Sequence, residues 1–409
     1  MRVKSISFEN YKAFFEKQTI QLKPITILIG KNSSGKSSIA KLFTLLENSL
    51  KGENDEPLLL SNGGVELGDE FDNLFFDNNP GGLPLSFAVS FEEHVELEVG
   101  LLKKEEGYGL DIVQWRYKDD KQEFDLELDL ELNNGEYLDN ISNQRYECKF
   151  NGFIPTKLLE KNTINDLSKS LAISGIDVDY IGPFRALPER YFYLTGQTCF
   201  KDTGIAGENA YKMLGISKLK KDDDLHKNVG RWYREHFDGW ELIVDDRSKK
   251  PLIQVLLSKN DSNVNLVDVG QGMNQALPLV VRANIRDRPD SMIVLEQPEL
   301  HLHPAAHGDL AELFAKSTKE NNQFFIIETH SENMLLRFRK LVIENDFGFT
   351  KDDIIIYWLE DAELKGQALM EITIDEDGVL SDWRDGVFDE GLKEVLEMQQ
   401  ALNRKDQSK

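Results

Sequence analysis

Eight consecutive residues, Gly30-Lys31-Asn32-Ser33-Ser34-Gly35-Lys36-Ser37, have the types and spacing to hold a triphosphate. They fit G-x-x-x-x-G-K-[ST], in which glycines let successive backbone N–H groups turn inward as an anion-binding nest. The N-terminus of a following helix would add partial positive charge. Lys36 would reach the β- and γ-phosphates, and the Ser37 hydroxyl would ligate Mg²⁺. The nucleotide set here is Gly30, Asn32, Ser33, Ser34, Gly35, Lys36, Ser37 and Ser38, with ATP and Mg²⁺ as the implied ligands.

The flanking sequence supplies the elements this chemistry needs. Residues 24–29, Pro-Ile-Thr-Ile-Leu-Ile, end in an apolar run that predicts a buried strand, and 38–46 carry apolar residues at helical spacing. Three further stretches follow the same logic. Residues 291–296, Ser-Met-Ile-Val-Leu-Glu, predict an apolar strand ending in Glu296, the usual place for a carboxylate that holds Mg²⁺. Gln323 to Ile327 predict another, ending in Glu328-Thr329-His330-Ser331. Asp268 to Gln275, with Gly270 and Gly272, predict a second glycine turn opening a helix. Each is weak alone, since buried strands often end in a carboxylate and a lone histidine is more often structural. Their order behind the phosphate loop makes the set specific.

The remaining chain reads as support for these. Val3 to Leu22 predict two strands with a turn near Lys12-Ala13. From Leu85 to Phe150 the pattern alternates with period two, as in Ser86 to Phe91, Val95 to Val99 and Phe124 to Leu132, with turns at Gly107, Gly109 and Asn133-Asn134-Gly135. This predicts an antiparallel sheet whose acidic side faces solvent. Tyr180 to Arg185 end a strand, a helical stretch runs from about Glu208 to Trp240, and Leu252 to Leu257 return to strand. The expected fold is an α/β ATPase head with a mixed sheet, an antiparallel β-lobe and an inserted helical lobe. The divisions fall at 1–84 (N-terminal head with the phosphate loop), 85–178 (β-lobe), 179–265 (helical lobe and return strands), 266–350 (remaining head) and 351–409 (a small C-terminal domain).

Composition excludes several classes. The 409 residues hold ample core, and no apolar run approaches the ~20 residues of a membrane helix. Two isolated cysteines, Cys148 and Cys199, exclude a zinc ribbon or a disulfide framework. With no signal-peptide core at the start, a cytoplasmic protein without a membrane partner is expected. The net charge of −24 argues against general affinity for nucleic acid. It leaves room for a local basic patch, although the densest cluster, Lys218-Leu219-Lys220-Lys221, reads best as a solvated helix end.

The ordered set resembles the ATP-binding-cassette ATPases of the RecF, SMC and OLD (overcoming lysogenization defect) group, and looks closest to the AAA-15-type ATPases of bacterial anti-phage operons. The carriers are 30–37, Tyr180 to Arg185, Asp268 to Gln275, Glu296 to Pro304 (Glu-Gln-Pro-Glu-Leu-His-Leu-His-Pro) and 328–331. The tail, with Glu371 to Asp375 and Gly386 to Glu390, looks like the small C-terminal domain of unknown function often fused to them. The resemblance implies that Gly270 and Gly272 form a signature loop, that His301 to Pro304 face a second subunit, and that His330 is a switch histidine near the γ-phosphate. It also implies a homodimer or larger even assembly, in which one protomer's signature closes over the ATP of the other, and a separately encoded effector such as a nuclease. Nucleic acid is left open as a partner. A transporter cassette is disfavoured by the long insertion between Lys36 and Glu296 and by the missing Leu-Ser-Gly-Gly-Gln.

One departure matters. Gln297 stands where the group commonly has the glutamate presumed to activate water, and glutamine accepts no proton at neutral pH. The catalytic set Lys36, Glu296, Gln297 and His330 therefore predicts tight ATP binding and slow hydrolysis. Glu299 is an alternative carboxylate, expected to be held away from the phosphate by Pro298. Two other readings carry less weight: a metal site from Glu299, His301, His303 and His307, and an OLD-like nuclease using Asp375-Glu376-Asp377. A non-hydrolysing ATP-dependent scaffold is the remaining alternative.

Overall fold

A computed structural model describes residues 2–382 and 398, apart from 105–106, 130–134, 162–165, 195, 197, 247–251, 261, 287–289 and 363–364. The chain opens with β1 (Val3–Glu9), β2 (Gln18–Gln21), β3 (Ile25–Gly30) and α1 (Lys36–Lys51). A small hairpin, β4 (Ser61–Asn62) and β5 (Val65–Glu66), precedes seven strands. These are β6 (Leu85–Phe91), β7 (Glu96–Lys103), β8 (Leu110–Lys118), β9 (Glu123–Leu128), β10 (Glu136–Asp139), β11 (Arg145–Asn151) and β12 (Ile154–Glu160). They join β1 and β2 in one antiparallel sheet of order β12-β11-β10-β9-β8-β7-β6-β1-β2. The alternation that predicted it is real: Leu85, Phe87, Val89 and Phe91 are buried along β6, with half-buried residues between. The predicted strand from Phe124 stops at Leu128, and residues 130–134 lie outside the described chain.

The second half adds β13 (Val178–Ile181), β14 (Phe192–Tyr193), α2 (Ala210–Leu219), α3 (Leu225–His236), β15 (Glu241–Asp245), β16 (Leu252–Lys259) and β17 (Ser262–Asn265). Then come α4 (Gln271–Ala283), β18 (Met292–Glu296), α5 (Pro304–Asn321), β19 (Phe324–Glu328), α6 (Glu332–Glu344), β20 (Ile354–Asp361) and β21 (Gln367–Ile372). The central sheet runs β13-β18-β19-β3-β20-β21, parallel except for the antiparallel β20–β21 edge. Within the stretch 351–409, assigned in sequence to a small C-terminal domain, β20 lies beside β3 and β21 beside β20, in the same sheet as the phosphate loop. The Gly386 to Glu390 motif lies outside the described residues.

Parallel strands covered on both faces are buried throughout, and β3, β18 and β19 are. Their side chains alternate between two cores. Leu28 and Val294 face the core shared with the nine-stranded sheet and α1, whereas Ile27, Ile29 and Leu295 face the core built with α2 to α6. A buried ion pair fixes α4 to this frame: Arg282 Nε lies 2.6 Å from Asp179 on β13, whose carboxylate also accepts the Thr203 hydroxyl at 2.8 Å. Removing one partner of such a pair leaves a buried charge uncompensated, at a cost of about 3–5 kcal/mol.

Candidate nucleotide site

The phosphate loop leaves β3 at its C-terminal end and enters α1 through Gly35, whose φ of 93° lies in the left-handed region. A Cβ there would meet the buried Phe14 ring at 3.0 Å, so glycine is required by both backbone and space. No side chain caps α1. Its first-turn amides thus remain free for an anion, the condition for phosphate binding at a helix N-terminus. Lys36 is buried and donates to the loop carbonyls of Gly30 (3.0 Å) and Lys31 (2.7 Å). Burial lowers its pKa, against the pull of Glu328. Asn32 and Ser33 are exposed on the loop, Ser33 with φ of 65°, and Ser34 is buried. Ser38 supplies a carbonyl to the buried Tyr11 hydroxyl at 3.0 Å.

Glu296 and Glu328 stand side by side, paired in register at the C-terminal ends of β18 and β19. Ser37 does not hydrogen-bond Glu296; its hydroxyl donates to Glu328, at 2.9 and 3.2 Å to the two oxygens. Tyr180 lies beside the Glu296 carboxylate and opposes the rise in its pKa, while Oε1 of Glu296 is enclosed without a hydrogen-bond partner among the described residues. Burial raises both acids, and for Glu328 burial together with the Glu296 charge gives a pKa of about 7, against Ser37 and Lys36.

The residues that follow each acid are tied together. Gln297 has φ of 44° and donates its amide to the Glu328 carbonyl at 2.8 Å. Glu299, the alternative carboxylate, is engaged by the stretch that follows Glu328. Glu299 accepts the His330 amide at 2.7 Å, and its second oxygen is enclosed without a partner among the described residues. The pKa of His330 is lowered, first by desolvation and then by Lys36, against the pull of Glu299.

Gly270 is the exposed N-cap of α4. A Cβ on Gly272 would sit 3.1 Å from the His301 carbonyl, so this glycine adjoins the 301–302 stretch of its own protomer, whereas one on Gly270 would meet nothing within 4 Å. Arg185 binds this assembly from beneath. It is buried, donates to the carbonyls of Gln297 (2.8 Å), Glu296 (3.4 Å) and Gln275 (3.5 Å), and burial lowers its pKa to about 10.

Two of the three histidines have other employment than a metal. His303 caps α5, its Nδ1 accepting the Ala305 amide at 3.3 Å. His307 Nδ1 pairs with the Ser331 hydroxyl at 2.8 Å and Nε2 with the Leu302 carbonyl at 3.3 Å. Ser331 already accepts the Met334 amide, so the Nε2–H tautomer satisfies the chain of contacts. His301 is exposed with φ of 66°. The nuclease triplet is likewise a turn: the Asp375 carboxylate accepts the amides of Asp377 (3.0 Å) and Val379 (2.8 Å).

Among the described residues no three His, Cys, Asp or Glu side chains could hold a metal ion unaided. A Mg²⁺ ion here would have to complete its shell with phosphate oxygens and water, its usual habit. The donor set fits such an ion, because Ser37, Glu328 and the enclosed Glu296 oxygen are all hard oxygen ligands beside an uncapped helix start.

Sequence reasoning placed Lys36, Glu296, Gln297 and His330 near one another, and the fold brings them together. It assigned no role to Glu328, Arg185 or Tyr180, although all three lie in stretches it had singled out. The signal for Glu328 was present: a second acid ending an apolar strand.

Fold and site together define a P-loop ATPase head. Residues 25–336 match the family described as "AAA domain, putative AbiEii toxin, Type IV TA system", and the chain belongs to that family. Residues 350–398 match a protein family of unknown function, DUF3696. The fold is shared with an SMC head bound to the C-winged helix domain of ScpA, at a TM-score of 0.50 and 13% identity over 91% of this chain and 98% of that one. The Thermotoga maritima SMC head domain aligns at a TM-score of 0.46 and 13% identity, covering 90% of this chain and 98% of that one. No curated protein sequence matches the chain. Among the described residues no helix is long and apolar enough to cross a membrane.

Proposed function

We propose that this chain binds ATP with Mg²⁺ on residues 30–38 and hydrolyses it slowly as a nucleotide-driven switch between two protomers. The observation that carries the reading is the uncapped start of α1 behind Gly35, with Lys36 and Ser37 beside two buried strand-end carboxylates. Lys36 would exchange its loop carbonyls for phosphate oxygens. Ser37 and Glu296 would hold the cation, which supplies charge neutralisation at the phosphates. Gln297 would orient water without taking its proton, and neutral His330 would donate to the γ-phosphate.

Gly270 and Gly272 would serve the nucleotide of a second protomer. Their helix N-terminus is exposed, and donors brought to a γ-phosphate make ATP an adhesive between subunits. Hydrolysis then removes a contact made only in the closed pair. The same proposal gives the chain a role in phage defence or DNA surveillance, in the cytoplasm and beside a separately encoded effector; its one support among the comparisons is a family description that names a putative AbiEii toxin of a type IV TA system. Complementation tests the composite site. Lys36→Ala and Gly270→Asp variants, each inactive alone, should recover part of the turnover when mixed, because one site of the mixed pair is intact. No recovery on mixing would count against a shared site.

The scaffold alternative draws on Gln297 alone. It predicts binding and assembly without sustained turnover.

A further inference from the structure

The reading above gives the cation to Ser37 and Glu296. The strand order points to one more ligand. β19 lies between β18 and β3, so Glu328 sits one strand nearer the phosphate loop than Glu296. Ser37, the hydroxyl that would ligate the ion, already aims at Glu328, at 2.9 and 3.2 Å. Both acids are nearly inaccessible, Glu296 at 6% and Glu328 at 4% exposure. The nearby cations are turned elsewhere: Lys36 to the carbonyls of Gly30 and Lys31, Arg185 to those of Glu296, Gln297 and Gln275. The pair is thus short of positive charge, and Glu296 keeps one enclosed oxygen with no hydrogen-bond partner among the described residues. Two adjacent buried carboxylates in that condition call for a hard divalent cation.

We propose that Glu328 is a direct ligand of the nucleotide's divalent cation, Mg²⁺ or Mn²⁺, shared with Glu296 and Ser37. The inference rests on the nucleotide reading and makes it more specific. Two carboxylates repel a metal-free triphosphate, so the site demands metal and nucleotide together, and losing one carboxylate relaxes that demand.

The test is Mn²⁺ binding, followed by electron paramagnetic resonance, in the presence of a non-hydrolysable ATP analogue. Glu328→Gln keeps an acceptor for Ser37 and removes only the charge. It should weaken Mn²⁺ by about tenfold or more, the usual cost of disturbing a metal's immediate surroundings. Affinity for the analogue in EDTA should be unchanged or tighter. Mn²⁺ affinity equal to wild type would overturn the proposal. If Glu328→Gln melts far below wild type, Glu328→Asp replaces it: a shortened carboxylate should bind Mn²⁺ more weakly, and wild-type affinity overturns the proposal equally. Failure of the wild-type protein to bind the analogue would instead remove the nucleotide reading itself.

Discussion

The guanidinium of Arg185 donates to the main-chain carbonyl of Gln297 at 2.8 Å, and through Gln275 the same side chain reaches the helix that begins at Gly270. Two segments expected to act on different nucleotides therefore share one buried cation. A shift of either strains the contacts of the other.

Arg185→Ala should break that coupling. It leaves buried carbonyls unsatisfied, a cost of about 1–3 kcal/mol in stability. Turnover should fall by about tenfold or more with analogue affinity nearly kept, since no Arg185 contact reaches the phosphate loop. Comparing kcat with the dissociation constant of the analogue checks this; a fall in affinity as large as the fall in kcat would contradict it.

Gln297→Glu should raise basal turnover. The main-chain amide of Gln297, not its side chain, binds the Glu328 carbonyl, so the swap preserves the loop. A positioned general base contributes about 10²–10⁴-fold, and even a poorly aligned one should give a measurable gain. Single-turnover hydrolysis measures it. An unchanged or lower rate would mean that proton transfer to residue 297 does not limit the reaction.

Glu328 makes the stability of the nucleotide-free, metal-free protein depend on pH. Its pKa of about 7 in the fold exceeds the ordinary carboxylate value. The folded protein therefore holds a proton that the unfolded chain has lost, and stability falls as pH rises from about 4.5 to 7, by on the order of 3 kcal/mol. Thermal melts in EDTA at pH 5.5 and 7.5 should show this loss in wild type and a smaller one in Glu328→Gln. Equal losses in both would place the titrating group elsewhere.

The phosphate loop and its flanking strand and helix were legible because a local pattern defines them. The strand-end acids and the β-lobe were legible because burial and alternation leave a periodic trace. The contacts of Glu299 and Arg185 were not. Whether Pro298 turns Glu299 away depends on where the His330 amide lies, which the β18–β19 register sets. The placement of β20 beside β3 was hidden for the same reason: a parallel neighbour separated by most of the chain carries no local signal. The choice of Glu328 over Glu296 as the partner of Ser37 follows from strand order alone.

ATP turnover by the purified protein with Mg²⁺, with and without double-stranded DNA, tests the central claim most directly, using Lys36→Ala as the reference. The account predicts slow turnover that disappears in Lys36→Ala, with stimulation by DNA if the switch surveys nucleic acid. Turnover that persists in Lys36→Ala, or its absence from wild type despite ATP binding, would contradict an ATPase built on this loop.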